Sequence, residues 1–262
     1  MGGHNHKRLK IAHIIATIAV IGFGALFVYN LADYFFYLRD NRITRQNTAA
    51  VQEIFVQFID EILVDIGEEI MPSPSQNQDL LNRARQLTHN TNIIAYIAIP
   101  GTNIGNVVVQ YSNNEHFLHH DIFGNPNVNG SLFMDFRNTP NFTDQNTIIF
   151  GHNMRGGTMF HNLRYYVTQP NFAARHPQIF VATDGQILIY EVFAAFSTNI
   201  DFDYIQVHFT EAQPFNALLD EINRRNTLST RITITEDDNI LILSTCTNTH
   251  QDTRYVVVAR LI

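Results

Sequence analysis

The sequence predicts a mainly β (α+β) protein, an antiparallel barrel or sandwich behind N-terminal helices and one transmembrane helix, on three observations. From residue 93 onward the apolar runs are short or alternating and are separated by Gly, Pro, Asn and Asp. Ahead of them, apolar residues recur at helical spacing. At the N-terminus "IAHIIATIAVIGFGALFVYNL", residues 11–31, is long enough to cross a bilayer, which takes roughly 20 residues of helix.

Lys7, Arg8 and Lys10 precede that run, and it passes into "YNLADYFFYLRD" with aromatics and no A-x-A-like exit. It therefore reads as an uncleaved signal anchor rather than a cleaved signal peptide, a buried globular helix being the alternative. Basic residues before the span, against a mixture of Asp33, Arg39, Asp40 and Arg42 after it, place residues 1–10 in the cytoplasm and the span at 11–33 of the cell membrane. Everything after the span is then extracellular.

Residues 46–70 set Val51, Phe55, Phe58, Ile62 and Ile66 on one helical face with acidic residues between them. "MPSPSQN" breaks this helix, and "QDLLNRARQLTHN" makes a second one ending near Asn90. Residues 34–90 are thus a helical stalk or a pair of N-terminal helices, and residues 91–262 the main domain. Strands are expected near 93–99, 106–110, 131–135, 146–151, 178–182, 186–196, 230–235, 240–245 and 254–261. A helix at 211–226 interrupts them, with Phe215, Leu218, Leu219 and Ile222 on one face.

The net charge of -7, with no basic cluster beyond the first ten residues, excludes a nucleic-acid surface held to phosphates. Both lysines, Lys7 and Lys10, precede the span, so the exterior part has none. That would suit an enzyme that uses amines as acceptors.

Outside the membrane, cysteines ordinarily pair, and this chain has only Cys246. It closes the apolar run "NILILST" and opens the polar loop "TNTHQD". Burial as a small hydrophobe is one reading; a reactive thiol at a loop on a rigid scaffold is the other. A thiolate nucleophile needs a cation or base, ordinarily histidine. His250 lies close along the chain and His152 ends the strand "TIIFG", where Gly151 supplies backbone freedom; spacing does not choose between them. Arg254 opens the last strand beside that loop and, being permanently charged, is suited to an oxyanion or a substrate carbonyl, a surface charge being the alternative. His116 and His120 at i, i+4 with Asp121 form a weak metal pattern, and no metal site is assigned. No phosphate loop, G-x-S-x-G elbow or H-E-x-x-H is present.

"IPGTNIGNVVVQYSNNEHFL", "GSLFMDFRN", "NTIIFGHNMRGGTMFHNL", "DYIQVHF", "LSTC" and "TRYVVVARLI" stand in an order that resembles a class B sortase, a membrane-anchored cysteine transpeptidase of Gram-positive bacteria. The resemblance spans nearly all of residues 93–262. It implies an eight-stranded sortase barrel with N-terminal helices and a helix in the long connection before the last strands. By motif position the family's histidine falls on His152, its nucleophile on Cys246 and its arginine on Arg254. Ser244 and Thr245 match the stretch that lines the sorting-signal groove; Asn114, Leu118, Tyr204 and Ile205 match further substrate contacts. The family's usual T-L-x-T-C reads "ILSTC", with Ile242 in place of threonine, a change expected to alter strand packing rather than chemistry. The loop from Cys246 to Arg254 is short for class B, and Arg260 lies too far along the strand to substitute.

The resemblance implies cleavage of a C-terminal sorting signal, N-P-x-T-x-like or similar, on surface proteins. A thioester acyl-enzyme then passes to an amine of a lipid-linked peptidoglycan precursor, with no cofactor or metal. Two other readings share these residues: a pilus-polymerising sortase with a pilin lysine as acceptor, and a membrane-anchored binding module on a decayed barrel.

Overall fold

The computed structural model describes residues 3–65, 74–199, 202–209, 212–229, 232–246 and 253–262. Two helices come first, α1 (Gly3–Asp65) and α2 (Pro74–Thr88). Eight strands follow, β1 (Ile93–Ala98), β2 (Gly105–Val109), β3 (Leu132–Met134), β4 (Asn146–His152), β5 (Gln178–Thr183), β6 (Ile187–Thr198), β7 (Ile240–Cys246) and β8 (Arg254–Leu261). Two short helices, α3 (Leu163–Thr168) and α4 (Phe172–Arg175), lie between β4 and β5, and α5 (Ala212–Arg225) between β6 and β7. The chain divides into two compact units at Arg42 and Ile43.

Unit one is the N-terminal part of α1. Its apolar residues, among them Ile14, Ile18, Phe23 and Phe27, are exposed, and α1 is the one helix among the described residues long and apolar enough to cross a membrane. The expected anchor and the expected amphipathic helix are one continuous element, because nothing between residues 33 and 46 breaks a helix: that stretch has neither Gly nor Pro.

Unit two is a closed barrel in the order β1-β2-β3-β4-β7-β8-β6-β5. The expected antiparallel pattern holds for most pairs, but β2/β3 and β4/β7 are parallel. Alternation of side chains does not encode strand direction; long connections permit it, and both parallel pairs are reached by such connections. One face of the strands, together with Leu81 and Ala84 of α2 and Phe215, Leu218, Leu219 and Ile222 of α5, forms one core cluster. Val51 and Phe55 of α1 join it, Phe55 stacking on Tyr96 of β1 at 4.0 Å between ring centroids. The side chains of Phe58 and Ile62, and residue Ile66, lie outside the described residues.

The strand expected at 230–235 does not form over its described part, 232–235. The alternation there is real, since Ile232 and Ile234 pack against the core, but the segment has no ladder partner. Its polar backbone is met instead by a side chain, Arg260 Nη1 donating to the Thr233 carbonyl at 3.3 Å.

Candidate active site

Four neighbouring strands bring their ends to one rim of the barrel. In the parallel β4/β7 pair every residue from Asn146 to His152 is in register with Ile240 to Cys246, so His152 and Cys246 are partners at the last position of both strands. Adjacent backbones are about 4.8 Å apart. On the other side of β7, the antiparallel ladder with β8 runs to Ser244/Val256. There the Tyr255 amide donates to Thr245 Oγ1 at 2.9 Å, and the same register carried on brings Arg254 level with Cys246. Arg254 is itself paired with Thr198 of β6. The backbone thus draws His152, Cys246 and Arg254 into one row across β4, β7 and β8. Cys246 is described by its backbone alone, and residues 247–252, which include His250, lie outside the described residues.

His152 is 1% exposed, and its Nε2 sits 2.8 Å from the Leu118 carbonyl in the β2–β3 connection. A carbonyl can only accept, so Nε2 carries a proton, and in the neutral ring Nδ1 is the basic atom. Gly151, directly before it, was expected to provide backbone freedom. Its role is steric: a Cβ there would collide with Leu132 Cδ2 and come within 2.8 Å of Phe160 Cδ2.

The residues matched to substrate contacts gather on two connections. Asn114 and Leu118 belong to the β2–β3 connection, Tyr204 and Ile205 to the β6–α5 connection. Tyr204 is 2% exposed and its hydroxyl lies 2.7 Å from Ser244 Oγ on β7; Ser244 and Thr245 are both wholly buried. Asn114 is held from both ends, its Nδ2 donating to Asp135 Oδ2 at 3.0 Å and its Oδ1 accepting from the Phe136 amide at 3.0 Å.

Sequence reasoning assigned no role to Asp135 and Arg137, though both stand in the quoted "GSLFMDFRN". Asp135 is wholly buried and grips Arg137 through two bonds of 2.8 Å, to Nε and Nη2. Burial pushes the Asp135 carboxyl up, but the side-chain and backbone hydrogen bonds from Arg137, the bond from Asn114 and the guanidinium charge outweigh it, so its pKa lies below the usual value. Arg137 Nη2 also donates to the Ile205 carbonyl at 2.8 Å. Asn146 reaches the same connection from β4, its Nδ2 donating to the Gln206 carbonyl at 2.8 Å. An acid and an arginine two residues apart just after a strand were the available signal.

His116 and His120, considered as a metal pair, stack ring on ring at 4.3 Å with Tyr111 stacked on the other side of His116. Burial, then the nearby His120 charge, hold His116 below the ordinary imidazole pKa. No group of three or more His, Cys, Asp or Glu able to hold a metal ion is found among the described residues.

A family model described as Sortase domain matches residues 97–262, which contain the whole row. The chain belongs to the sortase family. The relatives it resembles are sortases B. Sortase B of Listeria monocytogenes is 34% identical over 157 residues, 60% of this chain and 63% of that protein. Sortase B of Staphylococcus aureus is 29% identical over 257 residues, 97% of this chain and 96% of that protein. A solved Staphylococcus aureus sortase B–substrate complex superposes with a TM-score of 0.73 at 27% identity, covering 86% of this chain and 98% of that one. The homologues are cysteine transpeptidases, and the eight-stranded closed barrel of this sortase is the architecture of the solved sortases B.

Proposed function

We propose that this sortase is a membrane-anchored class B transpeptidase in which Cys246 is the nucleophile, His152 the general acid and base, and Arg254 the oxyanion or substrate clamp. The observation that carries the reading is the register that aligns the three positions on adjacent strands. Cys246 passes its thiol proton to His152 Nδ1, the resulting thiolate attacks the carbonyl after the threonine of an N-P-x-T-x-like sorting signal, and a tetrahedral oxyanion forms beside the Arg254 guanidinium. His152 protonates the departing amine through Nδ1, the C–N bond breaks and a thioester remains. The incoming amine of a lipid-linked peptidoglycan precursor gives its proton back to His152 as it attacks the thioester, and the thiolate leaves. The peptide bond energy is conserved in the thioester, so the exchange runs without ATP.

Residues 1–10 are cytoplasmic in this reading, 11–33 span the cell membrane, and 34–90 hold the catalytic domain, 91–262, outside. The basic residues before the exposed apolar run of α1 support that orientation. Asn114, Leu118, Tyr204, Ile205, Ser244 and Thr245 form the sorting-signal groove, directly or by holding its walls.

The test is to incubate the full-length chain with a panel of sorting-signal peptides and follow the thioester by mass spectrometry. A peptide adduct on Cys246 that disappears when an amine is added is expected; activity retained by Cys246→Ala would sink the proposal. The thiol should also react rapidly with a methanethiosulfonate reagent and lose activity with it.

A further inference from the structure

The two walls of the groove come from connections that share no ladder. Asn114 and Leu118 belong to the stretch between β2 and β3, and Tyr204 and Ile205 to the stretch between β6 and α5. One ion pair joins them. Asn114 Nδ2 donates to Asp135 Oδ2 at 3.0 Å, Asp135 takes the Arg137 fork through both oxygens, and Arg137 Nη2 donates to the Ile205 carbonyl at 2.8 Å. A planar guanidinium can hold a carboxylate in a two-pronged fork and still donate to a second acceptor, a geometry that the single nitrogen of an ammonium does not reproduce. Asp203 adds its negative charge to Arg137 from the second wall. Asp135 is wholly buried whereas the Arg137 side chain is 35% exposed, so the clasp is anchored inside and works at the surface.

From this geometry we infer that Arg137 is a positioning residue that sets the width of the sorting-signal groove. Among the described residues its side-chain hydrogen bonds go to Asp135 and the Ile205 carbonyl, and none goes to His152 or Arg254. Its effect is on how well the walls are spaced to receive the peptide. This rests on the groove assignment above and adds its regulator.

The experiment compares the full-length chain in detergent with Arg137→Lys, and with the double variant Asp135→Asn/Arg137→Gln, which leaves no unpaired buried charge. A fluorogenic N-P-x-T-x peptide reports kcat and KM, and hydrogen exchange reports the backbone of residues 112–118 and 202–209. KM is expected to rise about tenfold or more, as for loss of a charge-assisted hydrogen bond, with kcat at saturation within about threefold. Amide exchange should quicken in both walls together and not in β7. A loss confined to kcat, an unchanged KM, or quickening in one wall alone overturns the inference. So does failure of both variants to fold, because a clasp between surface connections is dispensable to a closed barrel. If the unaltered chain processes no peptide, the transpeptidase reading fails, while the exchange data still decide whether Arg137 couples the walls.

Discussion

Asp135 shows how much can rest on one side chain. It is wholly buried and accepts hydrogen bonds from Asn114, the Arg137 side chain and the Arg137 amide. Its folded pKa lies below the ordinary carboxylate value, so on acidification the unfolded chain takes up the proton first. The stabilisation is complete above about pH 4, where an unfolded aspartate is ionised, and is lost as pH falls through the folded pKa. Urea unfolding from pH 6 down to pH 2 should show a loss of stability at the acid end that is smaller in Asp135→Asn; equal losses in the two proteins would refute the assignment. The sequence offered only the spacing of an aspartate and an arginine after a strand, which looks like any exposed pair until burial is known. Cys246, the proposed nucleophile, draws notice in the sequence for the opposite reason. A lone thiol outside a membrane is a chemical oddity that needs no coordinates to notice. Gly151 lies between these cases, since the need for glycine was visible in the motif and its cause, two side chains in the space a Cβ would take, was not.

At the scale of elements, strand positions were readable from alternation and turn residues, and all eight barrel strands fall close to where they were expected. Strand direction and partner were not, since these depend on which distant runs meet. The same limit explains the segment 232–235, whose isoleucines alternate like a strand but find a core surface without a neighbouring backbone. The short helices α3 and α4 escaped because "HNLRYYVTQPNFAARHP" is rich in aromatics and interrupted by Pro170, so no helical period accumulates. Within β7, Ile242 replaces the family's threonine. It is wholly buried in the core cluster, paired with Ile148 of β4 and Val258 of β8. A hydroxyl there would lose apolar packing and lack an obvious partner. Ile242→Thr is therefore expected to cost about 1–3 kcal/mol of stability while leaving kcat/KM within twofold. Chemical denaturation and steady-state kinetics on one preparation check both parts, and a stable variant with impaired kinetics would mean that this position bears on the site after all.

For the whole molecule, the decisive fact is where the core lies. Every member of the core cluster, from Val51 to Val258, belongs to the unit Ile43–Ile262, and none to Met1–Arg42. A unit with its own complete core should fold without the other. Met1–Arg42 instead exposes a continuous series of large apolar side chains, Ile11 to Leu38, which water penalises and a bilayer accommodates. Under the proposed function, stability and peptide chemistry should therefore reside in one unit, and access to a lipid-linked amine in the other. Residues 43–262 alone are expected to unfold within about 4 °C of the full chain and to process a soluble sorting-signal peptide with a soluble amine equally well. With the amine presented on vesicles, they should fall behind the vesicle-embedded full chain by about 10²-fold, the scale of a lost effective concentration. The comparison needs both acceptors, because the soluble amine controls for damage to the site. If the two proteins use the vesicle-bound amine equally, the N-terminal helix does not serve to bring enzyme and acceptor together, and the anchoring argument fails even though the barrel chemistry stands.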